Sequence, residues 1–494
     1  MQKIKLEREM KITHDCGGEF TLPDYVPAIG RMLSAVCEPS PEGVYLKEAE
    51  GRGVEAELGG IASFRVLYVP EDGGDVRGVT IPCDYDTNVI IGGVSTPVTC
   101  RASTLPENVF CRVTAPRKLQ LRCRLGSKLT VLSSSDADSS DEFQDDMEVK
   151  RGAVEAMALS SGTSRDLMCA SDLEGLPEGA VPVLCRARIA VTDCKPVGGA
   201  GGEYRCRGDI TVECLYMNGG ELSTLRDRIG FDETVAVDGT DGETPDETIE
   251  PRAYGRITFA ELHHDDSGSR AEVIYELGIE TVTPLSAGVV YDAYSVTVPV
   301  AAEYDDMEYL SPAVSGALSV SVNERIPKNV SGRVPYITAD AELTGASAEA
   351  GRVKVSGELR GTALIVSDGE YDAVPWSAPW SCELTAAGIS EGDDVSVWGD
   401  VGVTSVSARA DGELAVDAEV SVSVTAAVHK REHVLASVKP NGEPFPARSG
   451  FTVCYPSRSE TVWDIAKRYH VPTSTVASAG NVTPDGTPAS VVVI

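Results

Sequence analysis

The run HHDD, starting at His263, and the pair His429 and His433 in HKREH offer the donor types that hold a transition metal. HHDD is followed by Ser-Gly-Ser and then by strand-like alternation, so it reads as the tip of a hairpin. His429 and His433 have the i, i+4 spacing that places two imidazoles on one helical face. Residues 422–428, however, lead in as a strand, and no third ligand stands nearby. DADSSD at Asp136 fails as a calcium loop, because position 6 holds Asp141 instead of Gly and position 12 holds Met147 instead of Glu. It reads as a solvated linker. GGAGG at 198–202 lacks the strand-to-helix setting of a phosphate cradle. There is no GxSxG and no Walker sequence. None of the six histidines sits in a nucleophile or zincin context. No catalytic residue, cofactor site or metal ligand set is read, and the protein is expected not to be an enzyme. The remote alternative is a carbohydrate-active enzyme with an acid/base pair among the 76 acidic residues.

The 13 cysteines are widely spaced and contain no CxxC, so they read as reduced core thiols, neither zinc ligands nor a disulfide framework. The net charge of −33 opposes nucleic acid and anionic membrane surfaces as partners. No apolar run approaches the ~20 residues that span a bilayer. The first residues carry no apolar leader, and a cytosolic protein is expected. Residues from Arg448 onward depart from the acidic average, with four cations against three acids, and read as a separate module.

Elements follow from periodicity. GIASFRVLYV at Gly60, GDITVECLYM at Gly208 and GELRGTALIV at Gly357 recur at offsets of 148 and 149 residues. Twenty-one residues after each glycine come IPCDY, IGFDE and APWSC. VPAI (Val26), VPVL (Val181) and VPYI (Val334) recur upstream. Alternating runs beginning at Leu119, Ala271 and Leu414 close the units. Gly-, Asp- and Asn-rich turns join the strands. The expected fold is mainly β: three tandem antiparallel sandwich- or barrel-like repeats at 1–135, 147–283 and 284–437, then a β-α-α-β domain at 448–494. Residues 133–146 and 283–288 read as boundaries, and the proline-rich residues 438–450 as a stiff tether. In VPWSAPW, two prolines point to an edge strand, and Trp376 and Trp380 are expected as an exposed contact surface.

ETVWDIAKRYHVP at 460–472 predicts a helix. Thr461 and Asp464 have capping-box spacing. Val462, Ile465, Ala466 and Tyr469 make one apolar face, while Lys467 and Arg468 suit the C-terminal end. The segment is similar to the GDTLWxIAxRYxV core of LysM domains, and the three repeats resemble SPOCS domains of spore-coat proteins from endospore-forming Firmicutes. Together they resemble the architecture of clostridial spore-coat morphogenetic proteins. That resemblance implies a structural assembly protein on the mother-cell side of the developing spore. Its implied partner is the basement-layer morphogenetic ATPase of the coat. The alternative it implies is binding of peptidoglycan or chitin oligomers by LysM. The implied contact residues are Ser459, Glu460, Thr461, Trp463, Lys467, Arg468 and Asn481. Ser459-Glu460-Thr461 replaces the family's Gly-Asp-Thr, and Asn481 falls one place late. Both departures favour protein docking over sugar, with Lys467 and Arg468 facing outward.

Overall fold

The computed structural model describes residues 2–49, 53–92, 98–136, 146–197, 202–237, 251–265, 268–446, 450–457, 460–479 and 491–493. The first unit comprises β1 (Gln2–Thr21), β2 (Ile29–Ala49), β3 (Gly53–Pro70), β4 (Arg77–Ile91), β5 (Val98–Ala115) and β6 (Lys118–Asp136). These form two antiparallel sheets, β1-β6-β5 and β2-β3-β4. The second unit comprises β7 (Met147–Asp172), β8 (Val181–Pro196), β9 (Glu203–Asn218), β10 (Glu221–Ala236), β11 (Arg252–Asp265) and β12 (Gly268–Ser295). Its sheets, β7-β12-β11 and β8-β9-β10, repeat the same order. The third unit comprises β13 (Val300–Ile326), β14 (Ser331–Ile337), β15 (Asp340–Glu349), β16 (Arg352–Ser367), β17 (Glu370–Thr385), β18 (Val395–Asp411) and β19 (Leu414–Pro440). Here β14 and β15 together take the place of the second strand, and β14 also pairs with β18. Both sheets thereby join into one seven-stranded, barrel-like sheet. Last come β20 (Val453–Cys454), α1 (Val462–Tyr469), α2 (Thr473–Ala479) and β21 (Val492–Val493), with β20 and β21 antiparallel.

The repeat glycines have a steric reason. Gly60, Gly208 and Gly357 lie directly opposite Tyr85, Phe231 and Trp380. A Cβ on them would fall 2.3, 2.0 and 2.2 Å from the carbonyl oxygens of Ser40, Ala190 and Glu342, and 2.8, 2.6 and 2.2 Å from those aromatic side chains. Each unit thus covers a bare stretch of backbone with an aromatic from the next strand, a device that pins register. The pairing also corrects the sequence alignment. IPCDY and IGFDE are two residues out of step, because the β3–β4 turn is longer than the two-residue turns of the other units. In those turns Gly219 and Gly220, then Asp368 and Gly369, all have positive φ, as type I′ turns require.

Trp376 and Trp380 do not form an exposed surface. Both are 4% exposed and lie in the core of the third unit. The edge position is real, since β17 pairs only with β16. Pro375 and Pro379 nevertheless occupy the outward parity of the strand, which sends the tryptophans inward. Residues 283–288 are not a boundary either. They run inside β12, where Thr283 pairs with Ala158 and Gly288 with Ala153. Among the described residues β11 pairs with β12 only as far as Glu280, short of Pro284. His263, His264 and Asp265 do run to the end of a hairpin strand, with Asp265 opposite Gly268. His429 and His433 lie on β19 and bind Ser396 and Asp306 respectively, so no helical ligand pair forms. Residues 137–145 and 198–201, and with them most of the DADSSD and GGAGG runs, lie outside the described residues. All thirteen cysteines are free, and none is exposed.

The three units close into a ring. Strands β1, β7 and β13 touch one another pairwise, and β4 meets β8, β10 meets β14 and β17 meets β2. Thr224 donates to the Pro335 carbonyl (2.7 Å), and Arg31 pairs with Glu370 (2.7 Å). Gly78 lies so near the Val183 carbonyl that a Cβ would be 2.2 Å from its oxygen. Leu67, Leu215 and Leu364, each seven residues past a repeat glycine, share one buried cluster. Beside it the equivalent positions Glu38, Arg188 and Asp340 join Arg65, Arg186 and Glu213. Glu38 binds Arg65 (2.6 Å) and Arg186 (2.5 Å), and Arg188 binds Glu213 (2.7 Å). Burial would raise Glu38, but Arg186 and Arg65 bring it down to about 2.

A second junction carries the same signature. Glu107, Thr258 and Thr404 are bulge residues at one place in β5, β11 and β18. Six residues earlier stand Arg101, Arg252 and Trp398, paired with Thr130, Glu280 and Thr425. Four of these side chains meet at Glu280, which is 1% exposed. Arg252 Nε (3.4 Å), Trp398 Nε1 (3.1 Å) and Thr425 Oγ1 (3.1 Å) donate to it, and Arg101 pairs with its other oxygen. One carboxylate therefore serves as the common acceptor for three units.

Candidate functional site: the seat of the C-terminal module

Helix α1 starts as its sequence dictates. The Thr461 hydroxyl accepts from the Asp464 amide, Asp464 accepts from the Thr461 amide, and His470 ends the helix in the left-handed region (φ 48°). Its stop is thus His470, and Pro472 directly precedes α2. Ile465 and Ala466 are buried against Cys454, Val471, Val476 and Val492, with Val462 and Tyr469 half-buried beside them.

On the other face of α1, Arg468 is exposed as expected, but Lys467 is turned back onto the chain. Trp463 and Lys467, one turn apart, both reach Asp292 on β12. Trp463 Nε1 donates to Oδ2 (2.9 Å), and Lys467 Nζ lies 2.7 Å from both oxygens. Tyr304 donates to the same carboxylate (2.7 Å). Tyr294, two residues past Asp292, packs edge-on against Trp463 (5.1 Å) and donates to the Val471 carbonyl (2.7 Å). Thr473 donates to Glu148 (2.8 Å). The tether is pinned as well, with Asn441 and Phe445 bonded to the backbone of Pro299 and Thr297 and Phe445 stacked on His470 (4.0 Å). The module is therefore seated on the second unit.

This changes the standing of the sequence-predicted contact residues. Lys467 and Trp463 are engaged within the chain. Arg468 pairs with Glu460 (2.6 Å) and approaches the Cys454 sulfur (3.3 Å), so neither of those two is a free recognition group. Thr461 serves as the cap. Ser459 and Asn481 lie outside the described residues. Sequence reasoning missed Asp292 and Tyr294, which lie some 170 residues away and carry no local mark.

It also missed the outer face of the small sheet. Phe451, Val453 and Tyr455 alternate with the inward Cys454, and Val491 and Val493 flank the inward Val492. Phe451 is 90% exposed and Tyr455 77%. Period 2 in FTVCY was the available signal. With both helices on one side of the sheet, the opposite parity faces solvent.

Burial would raise the Asp292 carboxyl, but hydrogen bonds from Lys467, Trp463 and Tyr304 outweigh it and hold it below the ordinary aspartate range. A carboxyl lowered in the folded state stabilises the seat above its unfolded value, about 4, and that stabilisation is lost as pH falls through the lower folded value. Accordingly, Asp292→Asn is expected to raise amide hydrogen exchange in α1 and α2 at neutral pH while the β units stay protected. Unchanged exchange in the helices would show that Asp292 does not hold the module.

A separate cleft of about 550 Å³ opens between the three units, near Arg101, Arg252 and Trp398. Two of its carboxylates, Glu276 and Asp400, are bridged by Arg256 at 2.8 and 3.8 Å. No protein-family model, curated protein or solved structure matches the chain. Among the described residues no helix is long and apolar enough to cross a membrane.

Proposed function

We propose that this chain is a non-enzymatic assembly protein of the bacterial spore coat. In this reading the three-unit β ring is the scaffold, and the seated C-terminal module docks to another coat morphogenetic protein, the basement-layer ATPase. The setting is the mother-cell side of the forespore surface. The observation that carries the docking role is the apolar outer face of the module sheet, formed by Phe451, Val453, Tyr455, Val491 and Val493. Contiguous exposed apolar side chains on a fixed support mark a binding surface more often than a solvated one. Docking moves to this sheet because Lys467 and Trp463 are committed to Asp292. The carboxylates of Glu38 and Glu280 are each held by a guanidinium group of their own unit and by one from a neighbouring unit, an arrangement suited to joining units.

The test is co-purification of the full-length tagged protein from sporulating cells, alongside retention on insoluble peptidoglycan. The expected result is recovery of the coat ATPase and no retention on peptidoglycan. Retention on peptidoglycan without the ATPase would favour the glycan-binding alternative and overturn the proposal.

A further inference from the structure

The core of the first unit gathers three sulfurs from distant parts of the chain. Cys16 on β1, Cys37 on β2 and Cys123 on β6 are 7%, 2% and 0% exposed, and their sulfurs all lie within 4.8 Å of one another. Three sulfurs around a tetrahedral zinc stand about 3.8 Å apart, given Zn–S bonds of about 2.3 Å. Small side-chain rotations close that difference.

Cysteine packs well as a small hydrophobe, so proximity alone decides little. The other two units supply the comparison. Cys16 pairs with Cys123, as Cys169 pairs with Val273 and Val322 with Ala418. Cys123, Val273 and Ala418 each lie opposite the residue two past the common bulge. Cys37 lies opposite the residue four past the repeat glycine, as Ala187 does in the second unit. Ala339 takes that place in the third unit, beside Asp340 and its partner Arg360. The fold therefore fills these three positions with Val or Ala, apart from Cys169, and packing does not call for three thiols.

A fourth group points the same way. Both ring nitrogens of His14 are shielded from solvent and have no hydrogen-bond partner. A buried polar group in that condition calls for an explanation. His14 lies two residues before Cys16, on the same inward face of β1, with its ring against Tyr85 (5.3 Å). Leu167 and Val320 occupy the equivalent position in the other units, opposite Tyr275 and Val420 as His14 is opposite Leu125. One unit thus replaces apolar core residues by three clustered cysteines and, two residues before one of them on the same face, a histidine.

We propose that Cys16, Cys37 and Cys123, with His14 as fourth ligand, form a buried structural site for a thiophilic divalent cation of the zinc(II) type. On binding, each of the three thiols releases its proton to solvent and neutral His14 donates a ring-nitrogen lone pair. The site staples β1, β2 and β6, and so joins both sheets of the first unit. Sequence spacing could not reveal it, because the three cysteines are 21 and 86 residues apart along the chain.

The test uses full-length protein purified under reducing conditions from cells grown with zinc, and in parallel with cobalt(II). The expected result is one zinc per chain by elemental analysis. The cobalt form should show thiolate-to-cobalt charge transfer and the d–d bands of a tetrahedral site. The double variant Cys37→Ala, Cys123→Val carries side chains that the fold itself uses at these positions, and it should lose the metal and the spectrum. His14→Leu should keep the charge-transfer band and alter the d–d bands. Wild-type protein with no metal and three alkylatable thiols would reduce the cluster to packing. A Cys16–Cys123 disulfide in protein kept reduced throughout, or a double variant that keeps the cobalt spectrum, would also overturn the proposal.

Discussion

Replacing Glu280 with Ala is expected to destabilise the β ring by about 3–5 kcal/mol, the usual cost of removing one partner from a buried charge network. The carboxylate is the shared acceptor for Arg252, Trp398 and Thr425 and the counter-charge of Arg101. Arg252 is 2% exposed and keeps only Asp400 as an acidic partner once Glu280 is gone. Trp398 and Thr425 lose their acceptor in the same place. The effect should appear in urea unfolding as a lower midpoint with an unchanged slope. Glu280→Gln separates charge from hydrogen bonding. It keeps an acceptor for Trp398 and Thr425 but leaves Arg101 without the carboxylate it pairs with and Arg252 with Asp400 alone, so it should fall between wild type and Glu280→Ala. If Glu280→Ala shifts stability by less than about 1 kcal/mol, water substitutes for the carboxylate and the junction is not a closed network.

The second large effect is expected from Ile465→Asp. Ile465 is fully buried between α1, α2 and the two short strands. A carboxylate there has no partner, and the cost is on the order of 4 kcal/mol. A module of roughly 40 residues holds little stability beyond that. The module should therefore unfold while the β ring remains intact. Amide exchange would show 460–479 unprotected and β3, β9 and β16 unchanged. Partner capture should disappear with the fold of the module. Protection retained in α1 would contradict the packing described for this helix.

Much of this architecture is legible along the chain, and the reason is local. The repeat glycines are needed where a neighbouring carbonyl and an aromatic side chain both close on the backbone, so they recur with the unit. The turns Asn218–Glu221 and Ser367–Glu370 declare themselves through residues that accept positive φ. The cap of α1 is set by Thr461 and Asp464 alone. The inward direction of Trp376 and Trp380 was also available, since Pro375 and Pro379 fix the outward parity. What sequence does not display is closure. The ring depends on Glu38, Arg186 and Asp340 meeting from three units, and the seat on Lys467 finding Asp292. Such pairs are set by topology, and any of the 76 acidic residues is an equal candidate beforehand. The same holds for the sulfurs of Cys16, Cys37 and Cys123, whose grouping depends on the register of β1 and β2 against β6.

The docking role of the module sheet is tested most directly by the affinity of the full-length protein for the purified coat ATPase, compared with the double variant Val453→Glu, Tyr455→Lys. Both side chains point to solvent, so the variant should keep the module folded, with unchanged amide exchange in α1. The proposal predicts a loss of about 30-fold or more in affinity, the scale of a lost apolar anchor worth about 2 kcal/mol. Equal affinity for both proteins, or no binding by the wild type, would contradict it.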